Sequence, residues 1–382
     1  MQSPVVISSW QTRVTISIAL SLMNTLALAW FNITNPLYLE LSIPVQAAVY
    51  YVILLLVMRV TNSIGTRTAL VGAISLTVVL VAAFCVVYPL RGAPQTAGKG
   101  SDQDDAVNIL VDGLFRAESP YRTLTYLANP VSNLMGSAVL GAPFRWILGS
   151  AAWMNPVVLL VLMVIVIRRM GARAGLLLAL LCLASPGFLM AYVVGSDYFT
   201  SAMIAAAASW WWLTASSRYQ QVIAAILTSV ACTTRLHLLV VLVAIALISW
   251  VQRRWIVPTL VAFAISAFLF LWWWLPDPSH FTPLGTTRAI GGSRGTIVLG
   301  TVWLVVLVII VIKRLDAAAV SWLGLPVLAI TAIASPTELF RAVAYFLWAA
   351  PLLVQRVSET RPAVSSAGDG TATQSDYEPA TD

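Results

Sequence analysis

Ten apolar runs divide this chain, most of them of the length a bilayer-crossing helix needs, about 17–23 residues. They lie near 12–32, 44–60, 68–90, 147–167, 174–194, 199–214, 256–275, 296–312, 317–335 and 339–354. Hydrocarbon offers no water to backbone amides, so such runs are expected to be helices. Only 10% of the 382 residues are charged and 59% are hydrophobic, which leaves too little polar surface to cover a soluble fold of this size. The expected fold is an all-α polytopic membrane protein. One further stretch, 221–251, reads as a broken hydrophobic hairpin. Val222 to Cys232 is too short, at about 1.5 Å per residue, to cross about 30 Å, and Thr233-Thr234-Arg235-Leu236-His237 interrupts it. Met1 to Arg13 lacks the pattern of a cleavable signal, so the first run is expected to remain as a helix.

The formal net charge of +7 reports topology rather than nucleic-acid binding. Arg13, Arg59, Arg67, Arg168, Arg169, Arg173, Arg218, Arg253, Arg254, Lys313, Arg314, Arg356 and Arg361 fall at alternate loops, as the positive-inside rule requires. Both termini are then expected in the cytoplasm of a multi-pass plasma (inner) membrane protein. The loops holding Glu40, Asp102 to Glu118, Asp197, Asp277 and Glu338 face outward. Of the acids that precede the polar tail, Asp316 alone lies on the arginine side. Cys85, Cys182 and Cys232 fall within apolar segments and read as free packing thiols. From Ser358 the chain turns to Ser, Thr, Ala, Gly and acids, so one membrane domain (1–357) is expected to precede a disordered cytoplasmic tail (358–382).

Carboxylates in a lipid-solvated protein need a reason, and five acids crowd between Asp102 and Glu118, inside a long outer loop, 91–145. After a flexible stretch, Val107, Leu110, Val111 and Leu114 recur at i, i+3, i+4 and i+7, which predicts an amphipathic helix lying on the membrane or on the bundle. Ser101 and Asp104 stand at the spacing of a capping box, with Asp in place of Glu. Capping needs one acid, however, and Asp102, Asp104 and Asp105 supply three in four residues. The chemistry that suits them is general-base catalysis on a hydroxyl, with cation binding as the other reading. Asp112 and Glu118 read as solvated.

Other candidates are single residues. Arg235 lies at the helix break, where it could pair with carbonyls or clamp a lipid phosphate with its planar guanidinium. His237 beside it is a polar core residue or a ligand contact. Arg341, at an outer helix start, is a second phosphate candidate. Asp197 with Tyr198 could position sugar hydroxyls or cap the next helix. His280, Arg288 and Arg294 lie in an outer Gly-containing segment, 276–295, as further substrate contacts. Trp210 to Trp212 and Trp272 to Trp274 read as interfacial anchors. No Walker-type loop, GxGxxG turn, HExxH or CxxC occurs, so ATP-driven transport and dinucleotide chemistry have no support.

An apolar span followed by Asp102-Gln103-Asp104-Asp105-Ala106, a helix to Leu114 and then Ser119-Pro120-Tyr121 resembles the first outer loop of GT-C glycosyltransferases. Asn129-Pro130-Val131-Ser132, Leu140-Gly141-Ala142-Pro143-Phe144 and the Cys232-Thr233-Thr234-Arg235 break are similar to features of the same class. The likeness covers about residues 68 to 350. Three spans precede the acidic motif here, two more than the class usually carries, and the triplet leaves open which Asp matches the family's base, with Asp102 or Asp104 favoured. The resemblance implies a GT-C-like bundle of about 10–12 transmembrane helices, and an inverting transferase taking sugar from a polyprenyl-phosphate donor at the outer face. The acceptor would be a hydroxyl of a cell-envelope glycolipid or glycan. It also implies that a divalent cation, Mg or Mn, can take part. The preference for arginine over lysine suits a GC-rich bacterium, for which mannose or arabinose would fit. The rival reading is a lipid or solute transporter, which explains Arg235 and the broken helix equally well.

Overall fold

The computed structural model describes residues 36–90, 102–251 and 255–284, with Arg13 and Ser17. Apart from those two positions, the expected spans at 12–32, 296–312, 317–335 and 339–354 lie outside the described residues. So do the tail 358–382 and Ser101, Arg288, Arg294 and Arg341. Among the described residues all regular structure is helical, apart from one isolated bridge between Leu124 and Pro130. In chain order the helices are α1 (Pro36–Ser63), α2 (Thr66–Leu90), α3 (Gln103–Arg116), α4 (Met135–Leu148) and α5 (Met154–Met170). There follow α6 (Ala172–Leu183), α7 (Pro186–Val193), α8 (Asp197–Thr214), α9 (Arg218–Cys232), α10 (Leu239–Val251) and α11 (Val257–Trp274).

This is a helical membrane protein. Three described elements are long and apolar enough to cross a bilayer: α2, α11, and Ala151–Met170, which is α5 with the short turn before it. A fourth crossing is possible if α6 and α7 count as one span bent by 83°. The sequence expects one span near 174–194; the structure breaks it at Ser185. There Ser185 Oγ accepts from the Phe188 N–H and Pro186 takes the first helical position, so the chain starts a new helix rather than continuing the old one. The hairpin at 221–251 is broken as expected, into α9 and α10 around Thr233–Arg235.

Helices in lipid gain little from burying apolar surface against one another, so small residues set how closely they pack. Ala69 and Ala73 of α2 nest against Ala172 and Leu176 of α6 on one side, while Val71, Ile74 and Val78 on the other face are exposed for lipid. Polar ties add specificity. Ser229 of α9 bonds Ser266 of α11 at 2.6 Å, and Thr77 bonds back to the Ala73 carbonyl.

Charge separates along the bundle. The end of α2, the start of α5, the α7–α8 turn, the α9–α10 break and the end of α11 meet at one end, and Asp102 to Glu118, Asp197 and Asp277 gather there. Arg59, Arg67, Arg168, Arg169, Arg173 and Arg218 stand at the other. There Arg173 Nε donates to the Ile64 carbonyl at 3.1 Å, and Arg169 and Arg218 lie over the rings of Trp210 and Trp255.

The apolar stripe of α3 faces the bundle. Val107, Leu110 and Val111 are buried, and Val107 Cγ1 and Val111 Cγ2 close over Gly141 of α4, where an added Cβ would stand 2.9 Å from the former.

Candidate functional site

The three clustered aspartates have separate partners. Asp102 occupies the N-cap position without a capping hydrogen bond. Its Oδ2 accepts instead from Thr125 Oγ1 at 2.5 Å and from Asn129 Nδ2 at 2.8 Å. Asp105 Oδ2 accepts from the Tyr126 backbone N–H at 2.9 Å. Both carboxylates thus hold the turn 125–129, where Ala128 adopts φ 59° and the Thr125 N–H bonds the Asn129 carbonyl. Each keeps its Oδ1 without a hydrogen bond among the described residues, and both side chains are half-buried. Burial pushes the Asp105 carboxyl above its usual range, and neighbouring Asp102 and Asp112 push the same way against the Tyr126 N–H.

Asp104 points the other way, into the bundle, with 4% of its surface exposed. Tyr88 at the end of α2 donates to its Oδ2 at 2.8 Å, and Ser150 Oγ lies 2.6 Å from the same phenol oxygen. Since Tyr88 has one proton and gives it to the carboxylate, Ser150 donates to Tyr88 and accepts from Asn108 Nδ2 and the Ala152 N–H. The chain Asn108, Ser150, Tyr88, Asp104 joins α3 to α2 and to the start of α5. Burial pushes the Asp104 pKa up to about 6, against the lowering effect of the Tyr88 hydrogen bond.

The second polar centre is an ion pair at the helix break. Arg235 Nη2 donates to Asp197 Oδ1 at 2.6 Å, with 5% and 2% of the two side chains exposed. Asp197 Oδ2 accepts from Asn133 Nδ2 at 2.8 Å and lies 3.2 Å from Ser137 Oγ. Arg235 Nη1 donates to Ser132 Oγ at 3.1 Å, and its guanidinium lies 4.2 Å from the centre of the Tyr198 ring. Capping of α8 falls to Ser196, whose Oγ accepts from the Tyr198 N–H, so Asp197 is left for Arg235.

The break leaves backbone carbonyls without helical partners, and the start of α4 leaves amides without them. The two sets meet. Leu134 N–H bonds the Thr234 carbonyl and Gly136 N–H the Thr233 carbonyl, each at 2.9 Å. Only glycine fits at 136, because a Cβ there would stand 2.2 Å from the Val230 carbonyl oxygen.

The third outer segment closes over this end. Asp277 Oδ2 bonds Arg122 Nε and Asp277 Oδ1 bonds His280 Nδ1, each at 2.7 Å. Arg122 and then His280 hold the Asp277 carboxyl below the ordinary carboxylate range. Tyr121 meets Phe281 edge-on and donates to the Asn133 carbonyl, and Thr282 Oγ1 bonds the Val131 carbonyl.

Of the residues singled out in the sequence, Asp102 and Asp105 share one turn, Asp104 lies behind them, and Asp197, Tyr198 and Arg235 form one buried group. Gly195 links the two centres: at φ 80°, it stands where a Cβ would come 3.3 Å from Asp104 Cβ, two residues before Asp197. His280 belongs to the Asp277 cluster instead. His237 falls in the turn Leu236–Leu238 after the break. Sequence reasoning missed Tyr88, Ser150, Asn133, Ser137 and Thr125, and gave Asn129 and Asp277 no site role. The run Asn129-Pro130-Val131-Ser132-Asn133 carries the one local signal, three small polar residues in a loop that must lie among apolar spans. Among the described residues, no three His, Cys, Asp or Glu side chains are grouped to hold a metal ion.

Comparison of the chain with protein-family models, with curated proteins and with solved structures returns no match.

Proposed function

We propose that this protein is an inverting glycosyltransferase of the GT-C kind, built on about 10–12 transmembrane helices, with both termini cytoplasmic and the acidic end facing outward. The donor is a polyprenyl-phosphate-linked sugar and the acceptor a hydroxyl of a cell-envelope glycolipid or glycan. The observation that carries this reading is the paired use of Asp102 and Asp105. Each gives one oxygen to the turn 125–129, and the other has no hydrogen bond to a described residue. Asp105, with its raised carboxyl, fits the base: a pKa moved toward neutrality makes a carboxylate a better proton acceptor while still ionised. Asp105 Oδ1 takes the acceptor's hydroxyl proton and the oxygen bonds the anomeric carbon from the far side. The bond from that carbon to the phosphate oxygen breaks, and polyprenyl phosphate leaves with the electron pair. Phosphate needs no acid to leave, but its developing charge needs a cation, and Arg235 supplies it while Asp197 keeps the guanidinium oriented. Asp104 positions the start of α3 through Tyr88.

The assay is sugar transfer from radiolabelled polyprenyl-phosphate donors in membranes carrying the protein. Asp105→Asn is expected to lower the rate by about 10²–10⁴-fold, the usual contribution of a general base. Transfer that survives replacing Asp102, Asp104 and Asp105 together by Asn overturns the reading. The buried pair at a broken helix also suits a lipid or solute transporter. Movement of the labelled lipid across the bilayer without sugar transfer would favour that reading instead.

A further inference from the structure

One face of α4 is apolar yet exposed. Val139, Pro143, Trp146 and Ile147 follow one another at i, i+4, i+7 and i+8, the spacing of a single helical face, and all four are exposed. Trp146 and Ile147 show 80% and 76% of their surface. Phe115, at the end of α3, is exposed too, and its ring lies 6.1 Å from that of Trp146. The other side of α4, with Ala138 and Gly141, is buried in the bundle, so this short helix is apolar on both sides. The patch is also rigidly built. Arg145 donates to both oxygens of Asp112, at 3.0 and 2.8 Å, and to the Gly149 carbonyl, which fixes the ends of α3 and α4 together.

Position and charge identify the partner. Leu148 stops three residues before Ala151, where the span Ala151–Met170 begins. That span exposes Val157, Leu160, Val161 and Val164, the face that meets acyl chains. The patch therefore stands at the level where a lipid-facing span leaves the hydrocarbon, and indole rings favour that level. Arg116, exposed beside Phe115, supplies a cation where lipid phosphates lie.

We propose that the α3–α4 pair is seated in one leaflet of the bilayer, with Phe115, Trp146 and Ile147 in the boundary between headgroups and acyl chains and Arg116 at the phosphates. A bilayer leaflet is the partner of this surface. The assignment is independent of any transferase activity.

The test places an environment-sensitive fluorophore on Ile147→Cys in a Cys85→Ser background, with the full chain in bilayer nanodiscs. The expected result is blue-shifted emission, loss of intensity with doxyl-labelled lipid, and no loss with aqueous iodide. Val139→Cys, on the same face, is expected to read alike and serves if the first variant does not fold. Quenching by iodide places the patch in water and overturns the proposal. Protection from both quenchers also overturns it, because protein then covers the face, whether from the rest of this chain or from a second copy.

Discussion

A carboxylate as buried as Asp104 makes folding depend on pH. Its folded pKa of about 6 lies above the ordinary 3.8, so the folded state holds the proton more tightly than the unfolded state. The stability this confers is complete below about pH 4 and is lost as pH rises through about 6; the interval corresponds to about 3 kcal/mol. Asparagine has nearly the same shape and can still accept from Tyr88, but it does not titrate. Asp104→Asn is therefore expected to flatten the rise in thermal midpoint between pH 7 and pH 4, measured in detergent against the wild type. Subtracting one curve from the other removes Asp277, whose lowered pKa acts with the opposite sign at more acidic pH. The crowding of these acids was legible in the sequence, because three aspartates in four residues exceed what a helix cap needs. The division of labour among them was not, because it depends on Tyr88, Thr125, Tyr126 and Asn129, which a single sequence does not bring to the acids.

At the scale of helices, α4 depends on one close approach. Gly136→Ala would push a methyl group into the Val230 carbonyl and the Thr233 backbone, atoms that cannot swing aside as a side-chain end can. A loss of about 1–3 kcal/mol is expected, the usual cost of overpacking, read as a lower thermal midpoint. Gly65→Ala is the control, since nothing lies within 4 Å of its added Cβ. Where hydrophobic length decided the fold, the sequence was readable: the runs at 68–90, 147–167 and 256–275 correspond to α2, α5 and α11. The break at Thr233–Arg235 was readable too, because Val222 to Cys232 cannot span a bilayer. The elbow between α6 and α7 was hidden, since both arms are apolar and only Ser185-Pro186 marks a second helix start. The periodicity of α3 fixed its apolar face but not what that face touches; Gly141, which lets α3 close on α4, decides that.

At the scale of the whole molecule, the acids from Asp102 to Asp277 gather at one end, with Arg122, Arg145 and Arg235 paired to them, and Arg59, Arg67, Arg168, Arg169, Arg173 and Arg218 stand at the other, which sets an expectation for topology. With Cys85→Ser as background, Ala117→Cys at the acidic end is expected to react with a membrane-impermeant maleimide added to intact cells. Ser217→Cys, beside Arg218 at the other end, is expected to react only after permeabilisation. The reverse pattern would put the acids in the cytoplasm and remove the outward-facing transferase. Alternation of charge between loops was the sequence signal for this separation, and it survives folding because each crossing carries the chain from one end to the other.

The joint between α9 and α4 has a direction built into it. The carboxyl end of α9 carries partial negative charge and the amino end of α4 partial positive charge. Arg235 follows the former, and Asp197 bonds residues at the latter. Transposing the two, Asp197→Arg with Arg235→Asp, would conserve total charge but set each ion against the helix terminus that repels it. A pair on open surface would tolerate that permutation; here the transposed protein is expected to melt earlier than the wild type.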